Sequence, residues 1–485
     1  MSSDSSTTQV EVEHAEAADA AEAPETGQPD APRRSPFGWR YTGPLLLGSS
    51  LNPINSSMIA TGLVGIGLDY HKGPGTTASL VSVLYLCSAV MQPTMGKLAT
   101  IFGARRIYLC GVLILMLGGV IGAAAPAFGF LLLSRGLIGV GTSAAYPTAM
   151  ALVRKRADEL GTGVPSRVLG NFSIASQVTL VIGLPLGGVL AGAFGWRALF
   201  LVNIPLALVV LAFTYWGVPP DKPSARRGGE RLALTVDLPG IALFAGSIVS
   251  LLIFLSGLGS PDWWLLLASA VLAAGLVRWE RRAPKPLIDV RMLARNRRVL
   301  RTYLRQSLAS LGVYIALYGT SQWMEGAAHY SAYQAGLILL PLSGISILIA
   351  RYVSNHGWVR GPLKLTGVCL SLTGVVMLFI THTSPVLALV GMSLLFGLAN
   401  GFSGYANQAA LYTQSSSADI AVASGLYRTF AYFGAIFSSS LIGIAFGSTA
   451  TDHGLHIVAA AMLVIGALNL LLALFDRAIP ARAGR

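Results

Sequence analysis

Along most of this chain apolar residues follow neither the strand period nor the one-sided helical period. They run on for many positions and stop at short charged or Gly/Pro-rich breaks. A hydrocarbon layer about 30 Å thick takes about 20 residues of helix, so each run predicts one membrane-spanning helix. Cutting at the breaks gives fourteen runs: 44–67, 76–99, 107–125, 128–152, 168–193, 198–217, 238–258, 263–278, 302–325, 334–353, 365–381, 385–411, 421–446 and 456–475. The tightest break lies inside the stretch Gly183 to Pro205. There Gly183, Gly187, Gly188 and Gly192 predict a small-residue stripe that lets another helix approach closely. Trp196 and Arg197 mark the headgroup level, where tryptophan prefers to sit and where arginine escapes the roughly 2.5–3.5 kcal/mol cost of the bilayer centre.

The breaks also carry an orientation. Lys and Arg gather in alternate loops: Arg33, Arg34 and Arg40 before the first run, Lys97, Arg105 and Arg106 after the second, Arg154 to Arg156 and Arg167 between the fourth and fifth. Lys222–Arg231, Arg278–Arg305, Arg351–Lys364 and Arg477–Arg485 continue on the same side, and the opposite loops hold little beyond Lys72 and Arg197. Cytoplasmic loops carry the excess of Lys and Arg, so both termini are expected in the cytoplasm. Gly103-Ala-Arg-Arg106 after the second run is echoed by Gly357-Trp-Val-Arg360 after the tenth, an internal repeat that predicts a two-lobed transporter.

The expected architecture is an all-α integral membrane protein of fourteen spans. Residues 41–218 form a first six-helix bundle, 219–237 a cytoplasmic linker, 238–278 an inserted helix pair, 279–301 a basic cytoplasmic loop, and 302–476 a second six-helix bundle. Residues 477–485 form a cytoplasmic tail, and 1–40, rich in Ala, Glu, Asp, Ser, Thr and Pro without the apolar core of a signal peptide, predict a disordered cytoplasmic tail.

Composition narrows the function. A hydrophobic fraction of 53%, only 11% charged residues and a mean hydropathy of +0.64 exclude an ordinary soluble enzyme. The net charge of +13 is spread in short clusters between apolar runs, which fits topology rather than nucleic acid. The run Arg291-Met-Leu-Ala-Arg295-Asn-Arg297-Arg298 either sets topology or meets anionic lipid. Cys87, Cys110 and Cys369 all lie in apolar runs, with no CxxC pair, and read as small apolar packers rather than metal ligands. No phosphate-binding Gly-x-x-x-x-Gly-Lys-Ser/Thr loop occurs, and no HExxH, GxSxG or paired-carboxylate grouping appears at membrane depth or in a loop long enough to hold a site, so neither ATP hydrolysis nor another catalytic activity is expected, nor any cofactor.

What remains is transport, and polar residues sharing a helical face on central spans are its candidates. Span 1 offers Asn52, Asn55 and Ser56; span 9 offers Tyr314, Tyr318, Gln322 and Glu325; span 12 offers Asn400, Gly404, Asn407 and Gln408. Each set is either the lining of a substrate cavity or interhelical hydrogen-bonding glue worth about 0.6–2 kcal/mol per bond. Arg135 in span 4 needs a partner or a water-filled cavity at that depth, or ties its helix to a neighbour's carbonyls, and Arg428 is expected to snorkel to the cytoplasmic interface. Glu325 is the one acidic residue placed within a span and so the candidate proton carrier. With nothing else negative at membrane depth, neutral or anionic amphipathic substrates fit better than dications.

Several motifs resemble the major facilitator superfamily, and more narrowly its fourteen-span drug:proton antiporter branch, over nearly the whole membrane region. Gly96-Lys97-Leu98-Ala99-Thr100-Ile101-Phe102-Gly103-Ala104-Arg105-Arg106 resembles the family's loop motif, and Arg135-Gly-Leu-Ile-Gly-Val-Gly141 its span 4 motif. Gly183 to Gly188 resembles the antiporter motif, and Trp196, Arg197, Phe200, Asn203 and Pro205 match the signature after it. The resemblance implies the major facilitator fold, a monomer in the cell membrane, and export of drug-like or metabolite molecules by alternating access in exchange for protons, with Arg135 as the proton-coupling arginine. Three positions depart from the pattern. Thr100 replaces an aspartate and is expected only to cap the next helix, near Ile107; Asn55 stands in a run where the family carries a carboxylate; and Pro185 falls one place later than the family's proline, at Leu184. An uptake carrier or facilitator without proton antiport is the alternative these departures favour.

Overall fold

The computed structural model describes residues 36–72, 74–221, 236–256, 261–284, 286–288, 290–330, 332–447 and 450–483. The expected N-terminal tail up to residue 35, the linker residues 222–235, and the side chains of Pro185 and Glu325 lie outside the described residues. Trp39–Arg485 forms one compact unit. Among the described residues it is helical throughout, save an isolated antiparallel bridge between Trp358 and Arg482.

The N-terminal half begins with α1 (Trp39–Met58), which runs through a 3₁₀ turn at Ile59–Gly62 into α2 (Leu63–Asp69). It continues with α3 (Pro74–Phe102), α4 (Ala104–Ala123), α5 (Phe128–Glu159), α6 (Ser166–Phe194), the short α7 (Ala198–Leu201) and α8 (Asn203–Gly217). A helix pair comes next, α9 (Leu238–Ser256) and α10 (Trp263–Glu280), then the short α11 (Val290–Arg295). The C-terminal half opens with α12 (Arg297–Tyr314), a π-turn at Ile315–Gly319 and α13 (Thr320–Gly326). It closes with α14 (Ala332–His356), α15 (Arg360–Leu378), α16 (Val386–Gln414), α17 (Ile420–Phe446) and α18 (Asp452–Phe475).

Among the described residues, eleven helices, with α7 and α8 counted as one, are long and apolar enough to cross a membrane. The expected spans outside that set are those at 44–67, 168–193 and 302–325, which correspond to α1–α2, α6 and α12–α13. Of these, α1 and α12 carry amides, hydroxyls and arginines in place of aliphatic residues and run into the 3₁₀ and π turns, whereas α6 is as apolar as α4. The outside of the molecule is correspondingly apolar: Leu117, Leu133, Val189, Leu208, Leu348 and Val464 are all exposed. Aromatic residues stand at helix ends, with Tyr215 and Trp216 at one end and Trp263 and Trp264 at the other.

Within the N-terminal half α1 packs on α6 and α8, and α5 on α3 and α4; within the C-terminal half α15 packs on α18, α14 on α16, and α12 on α17. The halves meet along α3 with α17, α6 with α14, and α5 with α17, and α9 leans on α3 and α17 beside that seam. Close approach explains the small residues there. A Cβ on Gly96 would come within 2.5 Å of the Ala421 carbonyl oxygen, and one on Gly425 within 2.6 Å of Pro93. Of the expected stripe on α6, Gly183 faces Ser57 and Gly187 faces Met58 and Thr61, whereas Gly188 and Gly192 face open space. Trp196 is buried against Tyr70 and Phe200 and donates to Asp69 at 2.7 Å, so the hairpin signature packs the turn at this end.

The two repeat turns have parallel anchors. Gly103 and Gly357 both take positive φ, +99° and +64°, a conformation glycine adopts without strain. Arg105 donates to the Tyr215 carbonyl near the end of α8, and Arg360 donates to the Ile479 and Arg477 carbonyls just past α18. Thr100 does not cap the following helix. Its hydroxyl turns back to the Lys97 carbonyl, α4 begins at Ala104, and Asp221 supplies the missing carboxylate, accepting from the Arg105 and Arg106 amides at 3.3 and 2.9 Å. An acceptor at a helix N-terminus satisfies donors that have no intrahelical partner.

The end of the chain is likewise tied down. Asp476 pairs with Arg305 at 2.7 Å, both side chains fully buried, and with Arg301 at 3.1 Å. Acidic residues are anchored at the edges of the helix pair as well: Asp237 accepts from Trp279, Leu287 and Gly240, and the buried Glu280 from Ile288. Removing one partner of a buried pair strands the other charge, at a cost of about 3–5 kcal/mol. The Asp476→Asn protein is therefore expected to melt well below the parent in detergent by a dye-based thermal scan, and a melting temperature equal to the parent's would contradict this reading of the Arg305 pair.

Candidate functional site

A cavity of about 140 Å³ lies where the halves face each other. Its walls come from Asn52, Ser56, Tyr85, Ser176 and Gln177 on one side and from Gln306, Ser310, Tyr314, Asn400, Arg428 and Tyr432 on the other. Most of these residues belong to α1, α6 and α12. The volume is below the 300–1,000 Å³ common for drug-sized ligands, so a larger substrate requires the halves to part.

Asn52 is the junction on one wall. Its amide donates to Ser88 at 3.0 Å and Thr142 at 2.9 Å, and its carbonyl accepts from the Tyr432 hydroxyl at 2.9 Å. Tyr432 in turn accepts from Gln92 at 3.1 Å, so α1, α3, α5 and α17 share one network across the seam. On the same wall Gln177 accepts from Asn400 at 3.1 Å and from the Ser346 hydroxyl, joining α6 to α16 and α14. Gln306 accepts from Tyr427 at 2.6 Å and from Asn407 at 3.4 Å.

Arg428 overturns the expectation that it snorkels. Its guanidinium lies 4.0 Å from the centre of the Tyr146 ring and donates to Ser176 at 3.1 Å, across the seam from its own helix. The buried Nε has no protein partner. Among the described residues lining the cavity it is the one with a fixed charge, and no carboxylate lines it. A cation over an aromatic face keeps part of its stabilisation without a counter-ion, leaving donors for an acceptor group on a ligand.

The other expected site residues are distributed more widely. Asn55 points away from the cavity and donates to Asn203 at 2.7 Å and to Leu51. Arg135 is buried inside the N-terminal half, where it donates to the Leu80 carbonyl at 3.0 Å and the Asn55 carbonyl at 3.3 Å. Tyr318 stacks on Tyr314 at 5.8 Å, but Gln322 is exposed. The π-turn between them adds a residue to the helical repeat and rotates the turns beyond it, which breaks the four-residue stripe expected of span 9. Asn407 and Gln408 are buried, and Gln408 meets Met150 of the opposite half. The glutamate at 325 lies on α13, with its side chain outside the described residues.

Past the cavity, at the end bearing the basic loops, the halves are held shut. Tyr412 donates to the Met150 carbonyl at 2.7 Å, and Arg154 donates to Ser417 at 3.0 Å and to the Tyr412 carbonyl. Two larger cavities also lie at this end: one of about 510 Å³ within the C-terminal half beside residues 481–482, and one of about 470 Å³ between Thr162–Ser166 of the N-terminal half and Asn355–Gly357 with Arg482 of the C-terminal half.

The sequence profile of the Major Facilitator Superfamily matches residues 45–439. The chain is 32% identical to the uncharacterized MFS-type transporter YwoD of Bacillus subtilis (strain 168), over 88% of this chain and 94% of that protein. It is 30% identical to the lincomycin resistance protein of Streptomyces lincolnensis, over 69% of each. Among solved structures, the human organic anion transporter MFSD10 (TETRAN) superposes with a TM-score of 0.64 at 14% identity, covering 90% of this chain and 99% of that one, a likeness of fold.

The Tyr432–Asn52 bond is one latch of this closed state. In Tyr432→Phe the buried Asn52 carbonyl and Gln92 amide each lose a partner, which costs about 1–3 kcal/mol. With native cysteines replaced and spin labels at Leu160→Cys and Ala418→Cys, pulsed electron resonance is expected to show a longer distance gaining population in the variant. An unchanged distance distribution would count against the latch.

Proposed function

This chain belongs to the major facilitator superfamily, and we propose that it is a fourteen-span exporter of neutral or anionic amphipathic small molecules, moving them through the cavity between its halves by alternating access. In this reading residues 41–218 and 302–476 are the two six-helix bundles, and 238–278 is a helix pair added between them. The basic loops lie in the cytoplasm, with both termini, by the excess of Lys and Arg on that side.

The observation that carries the substrate class is Arg428. A cavity walled by amides, hydroxyls and tyrosines, with one guanidinium and no carboxylate among its described lining, favours ligands with acceptor groups and disfavours cations. Asn52, Ser56, Tyr314, Gln177, Gln306 and Asn400 supply the neutral hydrogen-bonding groups around it. The name of the lincomycin resistance relative supports export as the direction.

Closure at the basic end defines one of the two states that alternating access requires. The Arg154, Tyr412 and Arg428 contacts would have to break for the cavity to open toward the cytoplasm. Arg135, held by the carbonyls of Asn55 and Leu80, would then act as a rivet joining α5 to α1 and α3 within one half. If transport is driven by protons, Glu325 is the carrier. The lack of a carboxylate in the cavity's described lining favours a second reading, a facilitator or uptake carrier on the same fold.

Reconstitution into proteoliposomes separates the two. An imposed pH gradient is expected to accelerate substrate movement, and Glu325→Gln to remove that acceleration; movement only down the substrate's own gradient would establish the facilitator. Arg428→Gln is expected to slow an anionic amphipath about tenfold relative to a neutral one, the equivalent of one hydrogen bond to a charged group. Equal slowing of both would remove Arg428 as the selective contact.

A further inference from the structure

The chain's last described residues form a strap. The Val359 amide donates to the Ala481 carbonyl at 3.1 Å and the Ala483 amide to the Gly357 carbonyl at 2.8 Å, around the bridge between Trp358 and Arg482. Arg360 spends its donors on the Ile479 and Arg477 carbonyls, and Ile479 is fully buried. Residues 477–483 are therefore a docked element.

Between this strap and helices α14, α15 and α16 lies the cavity of about 510 Å³. Its walls are mostly apolar, formed by Tyr352, Leu365 and Phe402 among others, and Trp358, Lys364 and Arg482 stand at its basic edge. No acidic residue lines it, and among the described residues no carboxylate pairs with Lys364 or Arg482. Tyr352 is 53% and Leu365 44% exposed, so the cavity opens on the lipid-facing surface where α15 enters the apolar layer. Tyr352, His356 and Trp358 cluster there with ring centres 4.5–5.8 Å apart, the placement of an interfacial aromatic group.

We propose that this cavity binds an anionic phospholipid. Lys364 and Arg482 hold the headgroup phosphate, Trp358 and Tyr352 flank the glycerol, and the acyl chains lie over Leu365 toward Phe402. Two features select the occupant. The unpaired cations call for a negative group, and the apolar wall on the membrane face calls for attached hydrocarbon, which a free phosphate lacks. Because Arg360 is committed to the strap, the headgroup falls to the other two cations. The occupied site would clamp the strap to α15 and so stiffen the basic end of the C-terminal half.

The full chain in liposomes of phosphatidylcholine doped with brominated phosphatidylglycerol, or with brominated phosphatidylcholine, tests this. The chain has 8 tryptophans, so the Trp358 signal is read as the difference between the parent and Trp358→Phe. Brominated phosphatidylglycerol is expected to quench that signal several-fold more than brominated phosphatidylcholine. In Lys364→Gln/Arg482→Gln the preference is expected to fall about tenfold or vanish, as the loss of two interfacial charges requires. The melting temperature of the double variant should stay at the parent's, since neither side chain holds the strap. Equal quenching by the two lipids in the parent would overturn the proposal, as would a preference that survives in a folded double variant. Loss of the preference on adding inorganic phosphate at constant ionic strength would overturn it in favour of a phosphate site.

Discussion

An amide or hydroxyl surrounded by hydrocarbon cannot turn to water, and each one left unpartnered costs several kcal/mol. This chain places Asn52, Asn55, Gln177, Gln306, Asn400 and Asn407 at membrane depth, and that constraint arranges the rest. Their helices have to face one another. Asn52 meets Ser88, Thr142 and Tyr432; Asn55 meets Asn203; Gln177 meets Asn400; Gln306 meets Tyr427 and Asn407. Helices with aliphatic faces, such as α4, α15 and α18, take the periphery, where Leu117, Leu372 and Val464 are exposed to the lipid.

The same bonds make the arrangement switchable. At the seam itself Asn52 with Tyr432, Gln92 with Tyr432, Gln177 with Asn400 and Tyr412 with Met150 join neutral groups, while Arg428 and Arg154 add charged donors. A neutral hydrogen bond contributes a net of about 0.5–1.5 kcal/mol, small enough for a set of them to be exchanged between two states. Inside each half the packing is close: α5 lies against α4 where a Cβ on Gly141 would come within 2.5 Å of Leu115, and the C-terminal core is filled by Met377, Met392, Phe396 and Leu455. Rigid halves joined by a weak polar seam are what rocking about a central site requires. The glycines at 96 and 425 let α3 and α17 close without side chains between them.

Much of this was legible in the residue order, because hydropathy and helical period depend only on the local chain. Every run cut from the sequence corresponds to helix, and the stripes on spans 1, 9 and 12 each contribute to the cavity through Asn52 and Ser56, Tyr314, and Asn400. Periodicity, however, gives a face and not the neighbour it meets. Asn55 shares a face with Asn52 on a helical wheel but turns to Asn203 on α8, and the π-turn at Ile315–Gly319 rotates Gln322 out to the surface. Arg428 illustrates a second limit. A guanidinium near a helix end reaches either the interface or the interior, and the Tyr146 ring that draws it inward belongs to a helix distant in sequence. Asp221, which serves the turn that Thr100 does not, is likewise distant in the chain from the Gly103 turn it completes. The resemblance to a known loop motif indicated that a carboxylate belonged there; only the fold shows which one arrives.

The proposed transport route requires the cavity between the halves to be the place where substrate is held and exposed to each side in turn. A single cysteine at Ser310, on its wall, in a background without Cys87, Cys110 and Cys369, tests this most directly. A membrane-impermeant maleimide is expected to label it from either face of the membrane as the protein alternates, and transported substrate to protect it from both. Labelling from one face only under every condition, or labelling that substrate leaves unchanged, would contradict alternating access through this cavity.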